Sequence, residues 1–235
     1  MFPSFEFNID ETVIWNGFVE RFSPEFDIVY MVDATGSMSS SIRNVKDQCI
    51  EISNALKNKY PKLNFNFGAI FYRDPVDSPS DQHDSIPLTN DMIYFQNRVE
   101  EINAYGGNDD PEDWVGAFKK LNTSIAWRNG IKLIIHIADA PAHGKLFCGY
   151  DNYNEEETKL PSLLEIIAKK KIKIYAFQLN SNPLISFNKC SELYKSYGGL
   201  MYEIKDFSHI SSDEMMNNFK NFIIEAATCA APKDN

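Results

Sequence analysis

The sequence predicts an α/β fold in which a mostly parallel sheet carries helices on both faces. Short runs rich in β-branched and aromatic residues recur along the chain, and longer segments with helical spacing of apolar residues separate them. This alternation is typical of parallel sheets, because each crossover between parallel strands needs a long connection, usually a helix. One predicted strand also ends on Asp33 and another is followed directly by Asp139, at the sheet edge where doubly wound folds bind ligands.

Six strands are predicted, in chain order. They are 27–33, 64–72, 85–88, 131–138, 172–178 and 200–204. The short segment 85–88 follows a turn and is expected to pair antiparallel with 64–72, as an edge strand. The other five are expected to run parallel in a six-stranded sheet.

Helices are predicted between these strands. Ile42, Val45, Ile52 and Leu56 share one helical face after the first strand. A second clear helix is expected to begin at Pro111, because proline suits the first helical turn and the acidic pair that follows complements a helix N-terminus. Further helices are expected at 91–103, 159–170, 187–197 and 211–228. Residues 26–228 would form one domain, between an N-terminal extension at 1–25 and a tail at 229–235.

The charge and composition of the chain argue against several kinds of partner and site. The 235 residues carry a formal net charge of −10, which disfavours nucleic acid and anionic membrane as partners. No run of 18 apolar residues occurs, and the N-terminus has no basic start, so we expect a cytoplasmic protein. The four cysteines are widely scattered with no C-x-x-C spacing, which argues against zinc and gives no reason to expect disulfides.

Oxygen-bearing side chains follow three of the predicted strands or loops. They are Asp33, Thr35 and Ser37 after the first strand, Asp109 after the Gly106–Gly107 turn, and Asp139 after the strand at 131–138. Carboxylates and hydroxyls without sulfur or paired imidazoles suit a hard cation such as Mg²⁺ or Mn²⁺. A simpler interpretation stays open, in which the two hydroxyls cap the helix that begins near Ser39 and Asp139 caps a strand end.

These residues resemble a known family. The string Asp33-Ala-Thr35-Gly-Ser37 is similar to the D-x-S-x-S pattern of von Willebrand factor type A domains, with Thr in place of the first Ser. "VDATGSM", "FYRD", "GGNDDPED" and "HIADAPAHG" occur in the order seen in the type A domains found with atypical alpha-kinases. The resemblance covers roughly residues 26 to 225. It implies a Rossmann-like three-layer fold with sheet order 3-2-1-4-5-6.

The resemblance also implies a metal-ion-dependent adhesion site. Its metal ligands would be Asp33, Thr35, Ser37, Asp109 and Asp139. The ion would be Mg²⁺, or alternatively Mn²⁺ or Ca²⁺, and the partner a protein that offers a Glu or Asp carboxylate. Asp109 stands where the family usually has Thr, so it either ligates directly or acts through water. Asp110 is the alternative if the loop register differs by one residue.

Acidic residues cluster in three places, namely 73–84 (the acidic turn), 108–113 and 154–157. The first two are expected at the same sheet end as Asp33, where they would form an acidic rim that favours a partner with basic flanks. The alternative is solvated loops. Arg73 is expected to form an ion pair that fixes its loop, and His143 to be a structural loop histidine, since no second His or Cys with ligand spacing lies nearby.

Two other functions compete with metal-dependent binding. A haloacid dehalogenase phosphatase would need D-x-D-x-[TV], but Thr35 stands where its second Asp belongs, and no other catalytic motif is present. We therefore expect no enzyme activity. The other competing function is a metal-independent scaffold or regulatory domain linked to an alpha-kinase. The kinase itself would lie elsewhere, because the chain is too short to hold it beside this domain.

Overall fold

The structure is a computed structural model that describes residues 25–59, 61, 63–75, 78–151 and 154–206. The predicted N-terminal extension, apart from its last residue, lies outside these ranges. The predicted helix at 211–228 and the predicted tail at 229–235 lie outside them as well. The domain boundaries therefore stay predictions.

Six strands form one sheet in the order β3-β2-β1-β4-β5-β6. They are β1 (Glu25–Asp33), β2 (Asn64–Tyr72), β3 (Asp84–Thr89), β4 (Ile131–Ala138), β5 (Lys173–Gln178) and β6 (Tyr202–Asp206). β3 pairs antiparallel with β2, and all other neighbours are parallel. The predicted fold class, strand order and antiparallel edge strand are confirmed.

Helices connect the strands. They are α1 (Ile42–Lys59), α2 (Met92–Glu100), α3 (Trp114–Thr123), α4 (Lys145–Cys148), α5 (Asn154–Lys169) and α6 (Leu184–Ser196). The single turn α4 was not predicted, because four residues are too few to show a helical period. None of these helices is long and apolar enough to span a membrane.

The predicted start of the helix at Pro111 is wrong. α3 begins at Trp114, and Asp113 caps it by accepting a hydrogen bond from the backbone N–H of Gly116. The backbone of Glu112 instead pairs with Ala142 in an isolated parallel bridge. This long-range pairing takes Pro111 and Glu112 out of the helix and places them in the preceding loop.

The core lies on both faces of the sheet, with β1 at its centre. Ile28, Tyr30 and Val32 belong to the cluster on one face, whereas Val29 and Met31 belong to the cluster on the other. A strand buried on both sides needs an uninterrupted apolar run, which residues 28–32 of β1 provide. The strand therefore ends at a rigidly held point, where Asp33 begins the first loop.

Candidate functional site

Asp33 is the last residue of β1 and is fully buried. Its Oδ1 accepts two hydrogen bonds from Thr35, one from the backbone N–H at 3.0 Å and one from the hydroxyl at 2.7 Å. The carboxylate thus shapes the first loop (residues 33–41). The other oxygen, Oδ2, has no hydrogen-bond partner within the part of the chain that the structure describes.

The two hydroxyls of the first loop do not act as helix caps. Thr35 occupies the N-cap position of a 3₁₀ turn (Gly36–Ser40), yet its side chain makes no capping hydrogen bond. The Ser37 hydroxyl donates to Oδ1 of Asp139 at 3.0 Å, across to the loop that follows β4. The capping interpretation is therefore wrong for this pair, and both hydroxyls are directed to carboxylates.

Four oxygens form a continuous chain between the two loops. Oδ1 of Asp33 lies 2.7 Å from Oγ1 of Thr35, which lies 3.2 Å from Oγ of Ser37. Oγ of Ser37 in turn lies 3.0 Å from Oδ1 of Asp139. Adjacent ligands of an octahedral Mg²⁺ lie about 3 Å apart, so these oxygens already have a spacing that a small divalent cation can use. We call these four residues the oxygen cluster.

Backbone hydrogen bonds fix the loops around this cluster. The N–H of Gly36 donates to the carbonyl of Gly106 at 2.8 Å, and the N–H of Tyr105 donates to the carbonyl of Ala34 at 3.0 Å. These bonds attach the first loop to the second loop (residues 104–113). A Cβ on Gly36 would lie 2.9 Å from the Gly106 carbonyl oxygen, so only glycine allows this close approach.

The third loop (residues 139–144) is attached in the same way. The N–H of Glu112 donates to the carbonyl of Pro141 at 2.9 Å. All three loops therefore meet at the carboxyl end of the sheet, and the side chains on them are held by main-chain contacts between loops. Such contacts organise a site before any ligand binds.

Asp109 and Asp110 both lie on the second loop and are exposed. A carboxylate oxygen of Asp109 lies within 4.8 Å of ligand atoms of Asp74 and His143. Asp110 accepts a hydrogen bond from the hydroxyl of Tyr150 at 2.6 Å. Both are therefore at the sheet end that carries Asp33, and the role of Asp109 as a metal ligand stays a prediction.

Glu112 is a site residue that the sequence analysis missed. It is only 2% exposed. A Cβ on Gly107 would lie 2.8 Å from Oε1 of Glu112 and 3.0 Å from Cβ of Thr35, so the two side chains flank the same glycine. The acidic "PED" string has the pattern of a helix start, so the sequence pattern does not indicate that its Glu lies in the site.

The buried carboxylates at this sheet end raise one another's pKa. Burial and then the charge of Asp139 raise the pKa of Asp33 to about 7. Burial and then the charge of Asp33 raise the pKa of Glu112 to about 10, and burial also raises the pKa of Asp139. Within the described residues, none of the three forms an ion pair with Lys, Arg or His. A divalent cation would relieve this repulsion.

The donor set fits a hard divalent cation. It consists of carboxylate and hydroxyl oxygens, the ligands that Mg²⁺, Mn²⁺ and Ca²⁺ prefer. Oδ2 of Asp33 and Oε2 of Glu112 are buried without a hydrogen-bond partner among the described residues. A buried carboxylate oxygen normally has a hydrogen-bond partner. Asp33 belongs to the oxygen cluster, and Glu112 lies beside Thr35 of that cluster.

The acidic turn lies at the same sheet end, as predicted. Arg73 forms the expected ion pair, with Asp84 at 2.7 Å, and also donates to the carbonyl of Asn103 at 2.7 Å. Oδ2 of Asp81 accepts from the N–H of Gly107 at 3.3 Å. Asp74 and Asp81 are buried, so among the described residues of the turn these two carboxylates brace loops and do not face solvent.

His143 is buried between two carboxylates. Its Nε2 lies 3.1 Å from Oδ2 of Asp74, and its Nδ1 lies 2.9 Å from Oδ2 of Asp151. Burial alone would lower the pKa of His143, but hydrogen bonds and charge from Asp74 and Asp151 raise it to about 9. The ring is therefore an imidazolium at neutral pH, with both nitrogens donating.

Asp74, Asp109 and His143 form a second close grouping. Their ligand atoms lie within 4.8 Å of one another, which is compact enough for a metal ion. Both ring nitrogens of His143 already lie within hydrogen-bond distance of carboxylate oxygens of Asp74 and Asp151, which is the geometry of a counter-charge to these carboxylates. The expected structural role of His143 fits this geometry.

Comparison with known proteins identifies relatives of the chain. The family profile of the von Willebrand factor A domain matches residues 27–184. The alpha-protein kinase vwkA of Dictyostelium discoideum is 34% identical over 165 residues, which cover 68% of this chain and 26% of that kinase. The chain thus spans about a quarter of the length of this relative.

Solved structures share the fold at low sequence identity. The pilus adhesin SpaC of Lactobacillus rhamnosus GG, in an open conformation, aligns with a TM-score of 0.58 at 13% identity, covering 88% of this chain and 30% of SpaC. Proximal thread matrix protein 1 from the mussel byssus aligns with a TM-score of 0.55 at 11% identity, covering 87% of this chain and 46% of that protein. These likenesses concern the fold alone.

Proposed function

The chain belongs to the von Willebrand factor A domain family, and from this we propose that it is a metal-dependent protein-binding module. It would hold a divalent cation at the carboxyl end of the sheet and use it to bind an acidic side chain of a partner protein. The proposed ligands are Asp33, Thr35, Ser37, Asp109 and Asp139. We propose Mg²⁺ as the ion, with Mn²⁺ and Ca²⁺ as alternatives.

One observation carries this proposal. Oδ2 of Asp33 is fully buried and receives no N–H or hydroxyl hydrogen bond within the described residues, while the Asp33 carboxyl lies within hydrogen-bond range of the Asp139 carboxyl and beside two hydroxyl oxygens. Leaving a buried carboxylate oxygen without a partner costs free energy, and proteins usually retain such a group where a ligand completes it. A hard cation is the ligand that matches carboxylate and hydroxyl donors.

The bound cation would supply a positive charge that a partner's Glu or Asp can share. The protein's own residues would do the rest. Asp33 holds the first loop through Thr35, and Ser37 links that loop to Asp139. The exposed side chains of Asp109 and Asp110 would give the surroundings a negative charge, so a partner with basic residues next to its carboxylate is favoured.

A non-enzymatic, intracellular role is part of the proposal. Membership of the von Willebrand factor A domain family supports binding as the general activity. The similarity to vwkA supports a signalling or assembly role near an alpha-kinase, which would lie on another chain or on a further part of this one.

Cation titration tests the proposal. Mg²⁺, Mn²⁺ and Ca²⁺ are titrated by calorimetry into chelator-treated protein, and melting temperature is followed in parallel. We expect saturable binding of one ion and a melting temperature that rises with occupancy. Asp33→Ala should abolish both effects, whereas Asp91→Ala, which removes an exposed helix cap, should lower stability without changing ion affinity.

Partner chemistry is tested with a displayed peptide library, selected with the cation and again with a chelator. Peptides with Glu or Asp between basic residues should be enriched only with the cation. Peptides that bind equally well in chelator, and to Asp33→Ala, would favour the metal-independent scaffold.

A further inference from the structure

We propose that Glu112 is a ligand of this cation, and that its carboxylate competes inside the protein with the carboxylate of the partner. The inference rests on the proposed function and deepens it. The second-loop residue that completes the site would then be neither the Thr usual in the family nor Asp109. The cation would be held by three carboxylates from this chain.

Position is the first argument. Glu112 and Thr35 flank Gly107, whose positive φ of 71° lets the second loop turn tightly against them. The Thr35 hydroxyl donates to Asp33, and the Thr35 side chain also lies beside Oε1 of Glu112 across Gly107, so Thr35 lies between the two carboxylates. Glu112 therefore faces the first loop at the point where the oxygen cluster begins.

The backbone of Glu112 gives the second argument. Its N–H donates to the carbonyl of Pro141 at 2.9 Å, and its residue bridges to Ala142. Pro141 lies two residues after Asp139 in the chain. The main chain thus holds Glu112 against the loop that carries the second carboxylate of the oxygen cluster, so its placement does not depend on a flexible side chain alone.

The unpaired oxygen is the third and independent argument. Glu112 is 2% exposed, and its Oε2 has no hydrogen-bond partner in the part of the chain that the structure describes. Oδ2 of Asp33 is in the same condition. Two neighbouring buried carboxylates that each keep one oxygen unpaired are explained by a cation that both can reach.

Asp109 differs from Glu112 in all these respects. It is exposed, and its carboxylate lies within 4.8 Å of ligand atoms of Asp74 and His143. Glu112 is buried, forms no ion pair among the described residues and keeps one oxygen without a hydrogen-bond partner there. Glu112 is therefore the better candidate ligand of the two.

Charge counting gives the functional consequence. With Asp33 and Asp139 as its only anionic ligands, a divalent ion is neutralised and still attracts another carboxylate. With Glu112 added, the three carboxylates outweigh the ion by one negative charge. A partner's Glu or Asp must then replace Glu112, so the site would bind its cation tightly but acidic partners only weakly until Glu112 withdraws.

Mn²⁺ binding tests this inference, because its affinity and its number of bound waters can both be measured. The variants are Glu112→Gln, which removes the charge and keeps the size, and Asp109→Asn, which tests the other candidate ligand on the same loop. Glu101→Gln makes the same change at an exposed glutamate that pairs with Arg98, and serves as the control. We expect Glu112→Gln to weaken Mn²⁺ binding about tenfold or more, Asp109→Asn to weaken it less, and Glu101→Gln to leave it unchanged. Water proton relaxation should show more exchangeable water on Mn²⁺ in Glu112→Gln.

Acetate serves as the simplest probe for the partner's carboxylate. Added to Mn²⁺-loaded protein, it should displace bound water more readily from Glu112→Gln than from the wild type. Melting of all three variants in chelator shows whether they fold. If Glu112→Gln binds Mn²⁺ and acetate as the wild type does, while Asp109→Asn loses affinity, Glu112 is only a buried acid and the inference fails. If Asp33→Ala keeps full Mn²⁺ affinity, the proposed function itself fails.

Discussion

β1 carries a buried aspartate near each end, and the two carboxylates differ in their hydrogen-bond partners. Asp27, near the amino end, is 1% exposed, and both of its oxygens are occupied by Arg128. Oδ1 accepts from the Arg128 Nε–H at 2.6 Å, and Oδ2 accepts from the Arg128 backbone N–H at 2.7 Å. Asp33, at the carboxyl end, has one oxygen occupied by Thr35 and one oxygen unpaired within the described residues.

This difference separates a structural carboxylate from one available for a ligand. At the amino end the protein supplies its own cation, and Arg128 also donates to the carbonyls of Phe26 and Asn64 at 3.0 Å each, so it joins neighbouring strands. At the carboxyl end the carboxylates face one another. Burial and residue type are the same at the two ends, so the partner of the charge is what distinguishes their roles.

The largest expected effect on stability is at the amino end of β1, where both oxygens of Asp27 are hydrogen-bonded. Arg128→Ala should lower the free energy of unfolding by about 3 kcal/mol, because it leaves Asp27 buried without its counter-charge. Denaturant unfolding measures this loss. Arg98→Ala removes an ion pair whose side chains are 40% and 60% exposed, and should cost less than about 1 kcal/mol. Equal costs would contradict the contrast between the two ends.

The same substitution at the two ends should have opposite signs. In chelator, Asp33→Asn should raise the free energy of unfolding by about 1–2 kcal/mol, since it removes one charge from a group of repelling carboxylates. Asp27→Asn should lower it by about 2 kcal/mol, since Arg128 loses its anionic partner. Thermal melting of the pair measures both. A loss of stability in both variants would mean that Asp33 is as structural as Asp27.

The smallest expected effect on stability concerns His143. At the carboxyl end of the sheet this residue is the counter-charge of Asp74 and Asp151. The pKa of this residue in the folded protein, about 9, is raised above its usual 6.5, so its stabilising contribution is present below about pH 6.5 and is lost as the pH rises through 9. His143→Gln should therefore cost about 1–2 kcal/mol more at pH 6 than at pH 10. Unfolding curves of both proteins at each pH test this.

Only the difference in unfolding free energy between the wild type and His143→Gln is informative, because Glu112 titrates in both proteins. Asp74 and Asp151 are the carboxylates that hydrogen-bond the ring. A cost of His143→Gln that is the same at both pH values would show that the ring is neutral and contributes packing alone.

Local sequence patterns predicted most of the fold. The apolar run of β1, the period of α1 and the acidic turn before β3 each lie within a short segment, so they can be read without knowing the rest of the chain. The same holds for the first loop, because Asp33, Thr35 and Ser37 lie within five residues and interact with one another. The family resemblance added the strand order, which the structure confirms.

Contacts between distant segments were beyond such patterns. Asp74 lies 69 residues from His143, and Ser37 lies 102 residues from Asp139. The string at Pro111 satisfied every local rule for a helix start, yet the backbone of Glu112 bonds to Pro141 and directs its side chain to the first loop. No local signal distinguishes these outcomes.

The sequence by itself therefore determined the fold class, the strand end on which the first carboxylate lies and the hydroxyls beside it. Only the tertiary structure decided which carboxylates receive an internal cation, as Asp27 does, and which keep an unpaired oxygen, as Asp33 and Glu112 do. The physical reason is that the free energy of a buried charge depends on what surrounds it in space, and those neighbours come from loops far apart in the chain.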